Sequence, residues 1–227
     1  MNETKTRKEE VLNVLFSVLL FGGLWGIVEA TLGSFLHLSF IHNTRLIFLS
    51  STTVLVPFAY YLMGGCYKRT GKTRSIIYMG VLASIIKLIG ALIFASNLEP
   101  ALYMLMEALA MTGAVLVIRP KKVVSYAGLA TFILASTTYL LATTFYRIGT
   151  GTQITGQIVL DNIEKYVFKY NCVAILYAFA FGAILYGFLK LAQAKEWKFE
   201  KLMKVIYHPA FASSMAVIAF ALTLVLR

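Results

Sequence analysis

Residues 12–38 read LNVLFSVLLFGGLWGIVEATLGSFLHL, an apolar run from Leu12 to Leu38 that holds one carboxylate, Glu29, and no lysine or arginine. A helix rises about 1.5 Å per residue, so about 20 apolar residues cross roughly 30 Å of hydrocarbon. The run is long enough to cross and too long for the apolar core of a signal peptide. A barrel strand would alternate inward and outward over about ten residues, and this run does not alternate. A membrane-crossing helix follows, because in lipid each backbone amide must find its partner within the segment.

Working outward, six more apolar runs follow: 46–67, 75–96, 100–118, 123–146, 170–191 and 209–226. Of the 227 residues, 59% are hydrophobic and 14% charged, whereas soluble domains are roughly 45–50% apolar and about 25% charged. The composition excludes a soluble enzyme, a nucleic-acid-binding domain and a disordered tail. The expected fold is all-α: a polytopic integral membrane helical bundle of six to seven transmembrane helices, forming a single transmembrane domain over residues 1–227. No cleavable leader is expected. Cys66 and Cys172 fall at opposite faces and give no disulfide framework.

The net charge of +11 is a matter of topology. Fifteen of the 21 lysines and arginines lie in the N-terminal arm (1–10) and in the segments after spans two, four and six. The positive-inside rule then puts the N-terminus in the cytoplasm and the C-terminus outside, in a prokaryotic inner or plasma membrane. Membrane lipid, and no nucleic acid, is the partner this basic face suggests. Residues 156–169 place Val159, Ile163, Tyr166 and Tyr170 at helical spacing, which suits an amphipathic helix on the outer surface. Residues 194–207 form a similar amphipathic connector on the cytoplasmic side. Glu29-Ala30 in span one and Glu107-Ala108 in span four, followed by Gly33 and Gly113, leave open a 3+3 inverted repeat with span seven appended.

The informative residues are Glu29, Lys87 and Glu107. A charge at the bilayer centre costs roughly 2.5–3.5 kcal/mol, so such groups face protein or water and find partners. Counted from the outer ends of their spans, Glu29 and Lys87 lie about 13 Å deep and Glu107 about 10 Å deep. The shared level points to an outward-opening polar pocket, against the alternative of an ion-pair triad that only fixes packing. Lys87 neutralises one carboxylate, and the second calls for a proton, a ligand cation or water. Trp25 lies one turn from Glu29, and Tyr103 one turn above Glu107. In span five, Ser136, Tyr139, Thr143 and Arg147 form a stripe too polar for lipid. Aromatic groups beside carboxylates suit a flat or cationic solute. The expected substrate-binding set is Glu29, Lys87, Glu107, Trp25, Tyr103, Tyr139, Thr143 and Arg147.

Metal and cofactor chemistry is not expected. His37, His42 and His208 do not occupy facing helices. There is no HExxH, no GxSxG and no Walker lysine loop, and Asp161 is the single aspartate. An intramembrane enzyme is therefore the poorer class. The stripes Gly22-Gly26-Ala30 and Ala174-Ala178-Gly182 allow close helix approach, inside the bundle or against a partner.

The small size, short loops, basic inner face and outward polar pocket resemble the substrate-binding S components of energy-coupling factor (ECF) vitamin transporters. The stretch Gly23-Leu24-Trp25-Gly26-Ile27-Val28-Glu29-Ala30 also resembles the first helix of bacterial membrane proteins grouped near them. The resemblance implies capture of a small vitamin-like molecule, a separate membrane coupling subunit with two ATPases, and toppling during transport. It also implies six spans and a docking motif near the cytoplasmic half of the first helix. Here there are seven runs, and the glycine stripe lies at mid-depth. Two other readings remain: a self-contained proton-coupled carrier, and a non-transport subunit or assembly factor of a larger membrane complex.

Overall fold

A computed structural model describes residues 2–33, 35, 54–93, 98–121, 125–150, 176, 180, 184 and 208–225. Among these the chain is all-helical, with no strand. Helix α1 spans Asn2–Val28 and continues into a π-helical turn at Glu29–Gly33. Then come α2 (Val56–Thr70), α3 (Arg74–Ile93), α4 (Glu99–Ile118), α5 (Tyr126–Thr150) and α6 (Pro209–Val225). Among the described residues, three stretches are long and apolar enough to cross a membrane: Arg7–Gly33, Arg74–Ile93 and Glu99–Ile118. Two shorter apolar helices, Ala127–Thr143 and Pro209–Leu222, stand beside them. Span six, the outer helix at 156–169 and the connector at 194–207 lie outside the described residues apart from Leu176, Ala180 and Ile184. The basic arm is helical from Asn2 and forms the first turns of α1.

Helix ends follow local chemistry. α2 and α4 both begin with a proline in the first turn, where no amide donor is needed. α2 stops at Gly71, whose φ of 66° only glycine takes without strain, and its N–H donates to the Tyr67 carbonyl at 2.8 Å. The Ser125 hydroxyl accepts the Gly128 N–H at 3.0 Å and caps α5.

The bundle is turned apolar side out. On α3, Val81, Ile85, Leu88 and Leu92 form an exposed stripe, while Ser75, Met79, Gly80, Ala83 and Gly90 are buried. Large apolar groups facing outward suit a lipid surround. Lipid is as apolar as leucine, so close packing of small residues holds such helices together. α1 is the hub, packed on α2, α3 and α6, while α4 lies between α3 and α5. A side chain at Gly80 would overlap the Ala108 methyl group, so α3 and α4 touch there nearly backbone to backbone. A Cβ at Gly23 would lie 2.6 Å from the Ala216 backbone nitrogen, and one at Gly26 would lie 2.9 Å from the Ala219 methyl. Gly22 abuts Leu82 and the Met79 carbonyl of α3. The Gly22-Gly26 stripe therefore packs inside the bundle, against α3 and α6.

Candidate functional site

Most hydroxyls along these helices are satisfied by their own backbone. Ser17, Thr31, Thr112 and Thr131 donate to the carbonyl four residues earlier at 2.6–2.7 Å, which removes a donor from an apolar setting without a second helix. The basic end of the bundle is also well paired. The Arg69 Nε–H donates to Asn13 Oδ1 at 3.3 Å, and the Asn13 amide donates to the Arg69 carbonyl at 3.5 Å. Thr70 and Ser75 bridge at 2.7 Å across the α2–α3 turn, and Lys72 pairs with Glu10 of α1.

The middle of the bundle differs. Glu29 opens the π-helical turn, and a methyl placed on Gly33 would sit 3.4 Å from its Oε2. π-turns inside α-helices occur frequently at functional sites. Glu29 lies within electrostatic reach of Lys87 on α3 and beside the Trp25 indole. Its charge also reaches Glu107 on α4. Glu107 in turn neighbours the Tyr60 hydroxyl of α2, which also faces Tyr139 and Ser136 of α5. Titratable and hydroxyl groups from five helices thus form one continuous polar chain: Lys87, Glu29, Glu107, Tyr60 and Tyr139.

Several atoms of this chain are sealed in and poorly satisfied. Trp25 and Tyr60 are 0% exposed and Glu107 is 4% exposed. By strict geometry Trp25 Nε1, the Tyr60 hydroxyl, Glu107 Oε1 and the Ser84 hydroxyl one turn before Lys87 make no hydrogen bond, although Trp25 lies within reach of the Glu29 carboxyl and Tyr60 within reach of Ser136. Most buried polar atoms in folded proteins are paired, and each exception calls for an explanation such as a water, an ion or a ligand. Leaving one such group unpaired costs about 1–3 kcal/mol. Poorly satisfied buried groups of this kind are therefore an expensive feature to hold without a use. The arrangement offers a donor at Trp25, an acceptor at Glu107 and a hydroxyl of either sense at Tyr60. A small solute carrying both a donor, or a cation, and an acceptor would satisfy all three at once.

The residues singled out in the sequence separate here. Glu29, Lys87, Glu107, Trp25 and Tyr139 come together. Thr143 is buried, but its hydroxyl donates to its own helix at Tyr139 and Leu140. Tyr103 donates to Glu99 Oε2 at 3.1 Å and meets Tyr146 edge to face at 6.1 Å, a pairing at the rim. Arg147 belongs to α5, and its side chain lies outside the described residues. Tyr60 and Ser84 were not picked out by sequence reasoning. A tyrosine deep in an apolar run, far from the interfacial belt where tyrosines gather, was the available signal. Phe132 supports Tyr60 edge to face at 5.3 Å. No group of three or more histidine, cysteine, aspartate or glutamate side chains is placed to hold a metal among the described residues. Comparison with known proteins finds no matching family model, curated protein or solved structure.

Proposed function

We propose that this chain is a multi-pass cell-membrane protein of six to seven spans that captures a small vitamin-like or cationic solute in the polar chamber between Glu29, Lys87 and Glu107. In this reading it serves as the substrate-binding subunit of an ECF-type uptake system. The observation that carries it is the cluster of buried polar groups at Trp25, Tyr60 and Glu107, led by Glu107 Oε1, which makes no hydrogen bond and which a ligand would satisfy. Glu107 takes the cationic or donor end of the solute, Trp25 and Tyr60 hold its polar and flat parts, and Lys87 balances Glu29. Two carboxyls against one lysine leave one carboxyl to be met by a proton or by a cation or donor on the solute. The glycine stripe of α1 is occupied by α3 and α6, so a coupling subunit with its ATPases docks on another face. The test is native mass spectrometry of the chain purified gently from its host. A small molecule of defined mass, lost in Glu29→Gln, together with coupling and ATPase subunits, is the expected result. An empty chain attached only to unrelated membrane subunits would move the assignment to an assembly role.

A proton-coupled carrier is the second reading, favoured by the unpartnered Oε1 of Glu107 beside Tyr60. Proton relays in pumps and transporters use carboxylates in this way. Solute uptake by the chain alone in proteoliposomes, driven by a proton gradient, would establish it over the subunit reading.

A further inference from the structure

The glycines of the first helix are of two kinds. At Gly23 and Gly26 a Cβ would come within 2.6 and 2.9 Å of α6, so the missing side chain is a condition of packing. Gly33, which closes the π-helical turn, is different. Among the described residues, a Cβ there would meet Glu29 Oε2 at 3.4 Å and Leu55 Cδ1 at 3.6 Å, both ordinary contact distances. Its φ is not positive, because Gly71 is the one described glycine in that region. Neither packing nor backbone geometry therefore calls for glycine at this place. What the glycine does is leave one flank of the Glu29 carboxyl uncovered. That flank lies one turn, about 6 Å, further from the basic end of the bundle. Exposure runs the same way: Glu29 and Gly33 are partly exposed, whereas Trp25, Tyr60 and Glu107 are sealed. The Thr31 hydroxyl of the same turn is taken up by the Ile27 carbonyl. The opposite wall, Leu55, belongs to a second π-helical turn at 54–55, where α2 begins. Two turns of a kind that gathers at functional sites thus meet at Gly33.

We propose that Gly33 is the port of the polar chamber: its missing side chain lets a small cationic head, such as a primary ammonium, reach Glu29 Oε2 from the outer side on its way to Glu107. The inference deepens the solute-capture reading and rests on it. An ammonium group is about the size of the methyl that glycine omits. In that place it meets a carboxyl oxygen on one side and the Leu55 methyl on the other, which suits a charged head on an apolar stem. The other neighbours of the carboxyl, Lys87 of α3 and Trp25 one turn earlier, leave this flank to the incoming group. An anion arriving here meets Glu29 first and is turned away.

The test places a thiol at the port. Gly33→Cys is made in the full chain carrying Cys66→Ala and Cys172→Ala, held in nanodiscs. It is treated with two methanethiosulfonates, the cationic aminoethyl and the anionic sulfonatoethyl reagent. Mass spectrometry gives each rate, normalised to the rate with free cysteine. The aminoethyl reagent should react at least about tenfold faster, and adding Glu29→Gln should bring the two rates together. Leu88→Cys in the same background, on the outward apolar stripe of α3 beside Lys87, should react with neither. No labelling at Gly33→Cys, equal rates for the two reagents, or equal aminoethyl labelling at Leu88→Cys would overturn the proposal. So would failure of Gly33→Ala to fold, which would show that the glycine is there for packing. Labelling needs no bound solute, so its failure is distinct from an empty chain in native mass spectrometry.

Discussion

The two ends of α1 treat polar groups in opposite ways. Near its start, Asn13 is tied reciprocally to Arg69, Ser17 donates to its own helix, and Glu10 pairs with Lys72. Near its end, Trp25 is sealed from solvent, and Glu29 faces a cluster in which Glu107 Oε1 makes no hydrogen bond. The same helix in the same apolar surround could have satisfied both regions. The base does what a structural joint should do: it locks α1 to the α2–α3 turn through reciprocal side-chain bonds. The centre holds donors and acceptors open at a cost in stability. Such a cost suits a site shaped for something that arrives later, because satisfying the groups internally would remove the reason for a ligand to bind.

The contrast can be broken from either side. The largest effect is expected at Glu107. Glu107→Gln should weaken capture of the bound solute by at least about 100-fold, since losing one member of a buried charged pair with a ligand costs about 3 kcal/mol. Equilibrium binding or retention on native mass spectrometry reads this, with helicity by circular dichroism as the folding control. Gly23→Val comes next. Its side chain would run into the Met215–Ala216 backbone, and overpacking of this kind costs about 1–3 kcal/mol. Thermal unfolding in detergent should show the loss, and α6 should become more accessible to proteolysis. Asn13→Ala should cost about 1 kcal/mol through the lost Arg69 bonds, while solute affinity stays unchanged. A matching loss of affinity would show that the base and the centre are one unit. The smallest effect belongs to Glu10→Gln, whose ion pair with Lys72 is exposed and screened by salt. No measurable change in Tm is expected.

Depth was legible in the sequence, and direction around each helix was not. The rise per residue is fixed, so counting from the span ends set Glu29, Lys87 and Glu107 at one level before any packing was known. Which neighbours each one meets depends on how five helices are rotated, and a single sequence does not encode that simply. Tyr103 shows the limit. It lies one turn above Glu107, yet its hydroxyl goes to Glu99 on its own helix. Thr143 faces inward as its stripe suggests, but its hydroxyl is consumed by its own backbone. The glycines of α1 promised a close approach without saying to what, and α3 and α6 supplied the answer. Tyr60 went unnoticed because a tyrosine in an apolar run reads as an interfacial anchor until its depth is counted from Lys68.

The central claim is that the Glu107 region is kept unsatisfied for a ligand and is no packing cluster. The most direct measurement is the Tm of Glu107→Met, without added solute, beside the natural chain. A buried acceptor without a hydrogen bond costs about 1–3 kcal/mol, which an apolar side chain of similar volume does not incur. The account predicts a Tm equal to that of the natural chain or a few degrees above it, with solute capture lost. A Tm lower by several degrees would mean that Glu107 holds the helices together, and would contradict it.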